Sequence, residues 1–411
     1  MAAEENVSAP MTDFERLKAG FVSGEFIDPS TRSASILDLA CAIGSAIGVP
    51  DLAITDDSRR IRDMFGQPEH IVFVLVDGLG CQVMYLLSGG SFLPSSLTET
   101  VKTVFPSTTG VALTSLATCA WPVQHGVTGW HTHIPEMNGA ASILQFARRS
   151  DNKPLHTAGL TTGQVLPVEA IYARAPIDCA FMLPDKIADS AFSRYFSGGR
   201  TRVGYGSFRN AIDLIVDRTR NAESPTFTYL YTDRIDSEIH SMGAGRAEIK
   251  GLLLEIDQLL DELRQRLDPS ALLIVTADHG FRDATELLRH QIRATDPLMS
   301  FLRFPPSGDA RVMYLHIHRG AAPMVREYFQ RRFGDKFMVI TIDEAEELGL
   351  FGPGPYCGPV KDRFGDLIAI SAGADVIEYR PRGRNGRVTH EASQHSGLSP
   401  QEMLVPLMVI R

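Results

Sequence analysis

Two segments restrict this chain more than any others. His70–Gly80 (HIVFVLVDGLG) and Ala271–Gly280 (ALLIVTADHG) each run through five or six consecutive apolar residues, many of them β-branched, then end in an aspartate and a glycine turn. Such runs have no polar face, so they predict strands buried on both sides, as in the centre of a parallel sheet covered by helices. Parallel neighbours need crossover connections, and the fold class that follows is α/β. In open sheets of this class ligands collect at the carboxyl ends of the strands, where Asp77 and Asp278 fall. Either acid alone could equally be a helix cap.

Two further strand ends carry chemistry. Thr226–Tyr231 leads into Thr232-Asp233-Arg234-Ile235-Asp236-Ser237-Glu238-Ile239-His240, where Asp236 and His240 share a face if the segment is helical. Val101–Phe105 meets Pro106, which stops a ladder. Ser107, Thr108 and Thr109 follow as N-cap types ahead of a small-residue helix. A hydroxyl there stands at the positive end of a helix dipole, where an anion also settles.

At 411 residues the chain accommodates one large domain with an insertion, or two domains. The expected layout is an N-terminal arm over 1–32, a core over 33–282 and 366–411, and an inserted α+β cap over 283–365. Within it, Ser33–Val49 and Glu248–Leu267 read as helices, and Thr157–Leu160 and Ala180–Leu183 as strand-like. The core is re-entered at Asp366–Ile370, and Val405–Ile410 is the last strand. A net charge of −9 argues against a nucleic-acid groove, and leaves a phosphate-bearing small molecule open if metal ions supply positive charge locally. The five cysteines, Cys41, Cys81, Cys119, Cys179 and Cys357, form no CxxC pair and suit a reducing compartment. With no basic-then-apolar leader and no apolar run near ~18 residues, the expectation is a cytoplasmic protein without a membrane segment.

Asp77, Thr109, Asp236, His240, Asp278, His279 and, from a late loop, His395 would converge on one sheet edge. Oxygen and nitrogen donors without thiolate suit zinc or manganese, and two ions of that kind could be held with positions open for substrate. His316 and His318 are read as surface residues of the cap, His131 and His133 as loop residues after the Thr109 helix, and His125 as a supporting or helix-terminating residue.

The ordered set Val76-Asp77-Gly78, Pro106-Ser107-Thr108-Thr109 with Thr118 and Pro122-x-x-His125-Gly126, Asp236-x-x-x-His240, Ala277-Asp278-His279-Gly280 and His395 resembles the nucleotide pyrophosphatase/phosphodiesterase branch of the alkaline phosphatase superfamily. The resemblance covers about residues 70–300 and 366–411. It implies an alkaline-phosphatase-like, mostly parallel sheet, two zinc ions and a phospho-threonine intermediate on Thr109. It further implies that Asp77, Asp278 and His279 with Thr109 hold one ion, and Asp236, His240 and His395 the other. Two departures stand out: Trp130 occupies the place of a phosphate-binding asparagine, and Ser396 follows His395 where glycine is commoner. The expected activity is hydrolysis of a phosphodiester or pyrophosphate bond in a small-molecule phosphate ester, with Trp130 and the cap against its organic part. A phosphonate or monoester hydrolase on the same site, or a metal-binding homologue without activity, are the alternatives. A sulfatase lacks support because Thr109 has no Cys/Ser-x-Pro-x-Arg context, and a phosphoglycerate mutase would carry serine there.

Overall fold

The computed structural model describes residues 11–356, 358–381 and 391–411; Cys357 and the first ten residues of the expected arm lie outside these. The core is a seven-stranded sheet in the order Glu99–Lys102, Leu404–Ile410, Ala271–Thr276, His70–Val76, Thr226–Thr232, Asp178–Pro184, Thr201–Tyr205. The neighbours from Ala271–Thr276 to Thr201–Tyr205 are all parallel, and Leu404–Ile410 enters antiparallel between Glu99–Lys102 and Ala271–Thr276. Every residue of His70–Val76, Thr226–Thr232 and Ala271–Thr276 is buried.

Register then places the site. Leu75 pairs with both Tyr231 and Thr276, and Val76 with Thr232, so three acid-bearing chain ends leave the sheet at one level. The two glycine turns after Asp77 and His279 pack back to back. A Cβ on Gly80 would lie 2.5 Å from Gly280 Cα, and one on Gly280 would lie 2.1 Å from the Gln401 carbonyl oxygen. Only glycine fits at either position.

Helices cover the sheet. Thr109–Thr118 is buried at all ten residues and packs on Ile36–Ala46, whose N-cap Ser35 forms a capping box with Asp38. Thr114 and Thr118 return their hydroxyls to the carbonyls of Gly110 and Thr114, so this polar helix leaves those groups satisfied. Phe208–Arg220 and Ala247–Arg266 pack against one another.

A second, antiparallel seven-stranded sheet runs Phe337–Thr341, Leu367–Ser371, Val312–Leu315, Ser307–Gly308, His131–Ile134, Gly139–Ser142, Ala147–Arg148. Helix Ala322–Phe333 packs on it through Val325, Phe329 and Phe333. Leu367–Ser371, expected to re-enter the core, instead pairs with Val312–Leu315 and Phe337–Thr341. Its apolar run is long enough for either sheet, and pattern alone carries no partner. The same sheet captures His131–Ile134, expected as loop.

Two local expectations also change. Thr157–Leu160 is not a strand: Leu155–Ala158 forms a 3₁₀ turn closed by Gly159 at φ 77°. The described part of the N-terminal arm is docked, not loose. Its helix Asp13–Ser23 buries Leu17, Asp13 accepts the Val339 N–H at 2.8 Å, and the Lys102 ammonium donates to the Pro29 carbonyl at 2.8 Å. No helix among the described residues is long and apolar enough to cross a membrane.

Candidate active site

The structure brings together all seven residues singled out in the sequence. His279 Nε2 is the hub: it lies 3.1 Å from Thr109 Oγ1, 3.4 Å from Asp77 Oδ1, 3.5 Å from Asp278 Oδ2 and 4.0 Å from Asp236 Oδ1. His240 Nε2 stands 3.4 Å from Asp236 Oδ1 and 3.1 Å from His395 Nε2, and His395 Nε2 is 4.0 Å from Asp236 Oδ1. The His279 and His395 rings stack with centroids 3.9 Å apart. Asp77, Asp278 and His279 form one compact group of donors, and Asp236, His279 and His395 a second.

Hydrogen bonding sets the ring orientations. The Nδ1 atoms of His279, His240 and His395 face the carbonyl oxygens of Gly280, Ser393 and Ser107 at 3.1, 3.0 and 3.1 Å. Donation to a carbonyl puts the proton of each neutral ring on Nδ1, leaving Nε2 as a lone pair aimed into the site. Asp77 Oδ1, Asp236 Oδ1 and Asp278 Oδ2 are buried without a hydrogen-bond partner. Bare carboxylate oxygens and imidazole lone pairs at such separations repel one another unless a cation lies between them. This donor set therefore fits divalent metal ions.

The titration behaviour points the same way. Burial, with the charges of Asp278 and Asp236, pushes Asp77 well above the ordinary carboxylate value, against the hydrogen bond from Tyr231. Burial also raises Asp278. Burial and the neighbouring His279 and His240 hold His395 well below the usual imidazole value. For His240, burial alone would lower the value, but Asp236, Glu391 and the Ser393 carbonyl together bring it up to about 9. Without ions Asp77 and His240 hold protons more tightly than usual, and metal binding there would displace them.

A cavity of about 1070 Å³ opens above Thr109, walled by Trp130 and His131, by Ser307–Ala310 of the second sheet, and by 377–380. Trp130 is half-buried and its backbone N–H donates to Asp309 Oδ2 at 2.9 Å.

The sequence model of the type I phosphodiesterase/nucleotide pyrophosphatase family matches residues 72–332, well over half of the chain. The chain belongs to this family. No curated protein matches it. Among solved structures, murine ectonucleotide pyrophosphatase/phosphodiesterase 5 superposes with a TM-score of 0.59 at 16% identity, over 82% of this chain and 87% of that one. An inactive variant of the same murine protein, in complex with AMP, gives 0.58. Phosphonoacetate hydrolase from Sinorhizobium meliloti 1021, in complex with phosphonoformate, gives 0.57 at 17% identity, over 83% and 90%. At these identities the likeness establishes the shared alkaline-phosphatase-type fold.

Several contributors to this family site were not legible beforehand. The Tyr231 hydroxyl donates to Asp77 Oδ2, a contact that follows from the pairing of Tyr231 with Leu75. Phe281 sets its ring edge-on to His240, His279 and His395 at 5.0, 5.5 and 5.5 Å. Arg149 and Arg380 line the cavity, reached through the second sheet and the strand Val376–Arg380. Arg149 donates to the Pro306 and Tyr379 carbonyls, and both arginines share the wall with Asp151, Asp309 and Glu378. Arg234 is turned away and paired with Glu255.

The other histidines fall outside the cluster. His125 is fully buried between the Ser115 hydroxyl and the Val127 N–H, and burial lowers it to about 3. His316, expected on the surface, is buried and packs at a tilt against His133 with centroids 4.1 Å apart. His131 lines the cavity.

Proposed function

We propose that the protein is a two-zinc hydrolase of phosphodiester or pyrophosphate bonds in a small phosphate ester, with Thr109 as nucleophile. The observation that carries the reading is the convergence of three unpartnered carboxylate oxygens and three imidazole lone pairs beside the Thr109 hydroxyl. Asp77, Asp278, His279 and Thr109 would hold one ion, and Asp236, His240 and His395 the other. Bound there, divalent ions would supply Lewis acidity and neutralise charge on the phosphoryl oxygens.

The chain's own residues then act in order. The N-terminus of helix Thr109–Thr118 faces the phosphate, so the dipole favours the anion beside the nucleophile. Thr109 Oγ1 loses its proton to solvent and attacks phosphorus, the bond to the leaving oxygen breaks and that oxygen takes a proton from water, and a second water later hydrolyses the phospho-threonine, returning the hydroxyl and releasing the phosphoryl product. Trp130 and the second-sheet wall enclose the organic part of the ester. The four described cysteines are free, in keeping with a reducing compartment.

The test is a zinc-loaded panel of bis-(p-nitrophenyl) phosphate, p-nitrophenyl phosphate, nucleoside di- and triphosphates and phosphonoacetate. Fastest turnover of a diester or pyrophosphate supports the reading; a preference for the monoester or the phosphonate refutes it.

A further inference from the structure

Arg311 is the bulkiest fully buried side chain among the described residues, 1% exposed, and it enters from the second sheet. Its Nε donates to Glu402 Oε1 at 2.6 Å, its Nη2 to the Gly373 carbonyl at 2.6 Å, and its backbone N–H to the Ser396 hydroxyl at 3.2 Å. Glu402, wholly buried, also accepts the Gly397 N–H at 2.8 Å and the Ser399 hydroxyl. One buried pair thus holds the 396–399 loop from two sides.

The same loop is pinned to the nucleophile segment. The Ser107 carbonyl accepts from His395 Nδ1 at 3.1 Å and from the Ser396 N–H at 2.8 Å, and the Ser107 hydroxyl donates to the Gly397 carbonyl at 2.7 Å. Ser396 adopts φ 93°, a conformation costly for a residue with a Cβ. A Cβ on Gly397 would come within 2.8 Å of Arg311 Nε.

As a stabilising device this pair is poorly made. Burying both charges costs more than an apolar pair of similar size, and Arg311 Nη1 is left without a partner. What it does secure is geometry. We propose that Arg311 and Glu402 are positioning residues for His395, so that their side chains set the Asp236/His240/His395 metal site, while the Asp77/Asp278 site is tied to Glu402 only through its backbone carbonyl, which accepts the Gly280 N–H and is kept in every variant. This rests on the two-metal reading.

The experiment is a Co²⁺ titration of metal-free protein, followed by visible absorbance and elemental analysis, for wild type, Arg311→Lys and the double variant Arg311→Met/Glu402→Leu. Wild type is expected to take two equivalents. The double variant should keep its circular dichroism and first-site affinity but bind the second ion roughly ten- to a hundredfold more weakly, as losses of such supporting contacts do. Arg311→Lys, which retains the charge, should fall between. Two equally tight sites in a folded double variant overturn the inference. If the double variant does not fold, Arg311→Lys decides alone, because it keeps the charge but cannot reproduce both the Glu402 and the Gly373 hydrogen bonds. Weaker second-site binding then supports the inference and unchanged binding overturns it. A wild type that takes fewer than two ions defeats the two-metal reading instead.

Discussion

On the two-metal reading proposed above, removing the ions should change how stability depends on pH, and His240 allows the size to be worked out. In the ion-free cluster its imidazole titrates at about 9 against an ordinary 6.5, with 18% of the side chain exposed. A folded-state value above the unfolded one contributes stability that is complete below the unfolded value and lost as pH rises through the folded one. At pH ~7 that contribution is on the order of 2–3 kcal/mol, and by pH ~9 most of it is gone, a loss of about 2 kcal/mol. Asp77 and Asp278, both raised, act in the same direction. His395 is depressed, so its contribution is present above the unfolded imidazole value and lost only below it, outside this window. In metal-loaded protein the His240 proton is already displaced and the loss should vanish. Urea unfolding of chelated and zinc-loaded protein between pH ~7 and pH ~9 reads both curves. The loading benefit should widen by about 2 kcal/mol across the range. Chelated protein whose stability stays flat or climbs with pH would refute the reasoning.

Thr109→Ala should lower turnover by about three orders of magnitude or more with metal content intact, while Thr108→Ala stays active; the reverse result would shift the nucleophile by one residue. His395→Ala should drop bound zinc from two equivalents towards one by elemental analysis, because it leaves the Asp77/Asp278/His279 group whole. Trp130→Ala should raise KM for bis-(p-nitrophenyl) phosphate by about tenfold, matching the ~1–3 kcal/mol of a buried aromatic contact, and an unchanged KM in folded protein would reduce Trp130 to packing.

The site was readable because its residues sit at the ends of strands whose burial is written in the sequence. His70–Val76 and Ala271–Thr276 have no polar face to misassign, and parallel pairing then puts Asp77 and Asp278 side by side. His395 was legible as a late-loop imidazole, but its pairing with Asp236 and His240 came only from the resemblance, since it follows a short strand, Ser393–Gln394, with no periodic signal. What stayed hidden depends on pairing between distant segments. Leu367–Ser371 was apolar enough for either sheet, and nothing local ties His131–Ile134 to Ser307–Gly308. Arg149 and Arg311 reach their places through that second sheet, and Arg380 through the pairing of Val376–Arg380 with Arg289–Arg293, so missing these pairings meant missing them. His316 looked like a surface residue by alternation, until Phe304 and His133 covered it.

The paired turns at Gly80 and Gly280 behave as a ruler. Two strand ends carry Asp77 and Asp278, and the gap between the turns that follow is set by the absence of side chains. Anyone wishing to retune the proposed metal centre for a larger cation has a lever three residues from Asp77, packed against the residue that follows His279. A single methyl at Gly80 must push the turns apart or fail to fit, and it alters the span between donors without changing one of them. In the proposed metal centre, cation preference can therefore be addressed through steric spacing with every donor side chain retained.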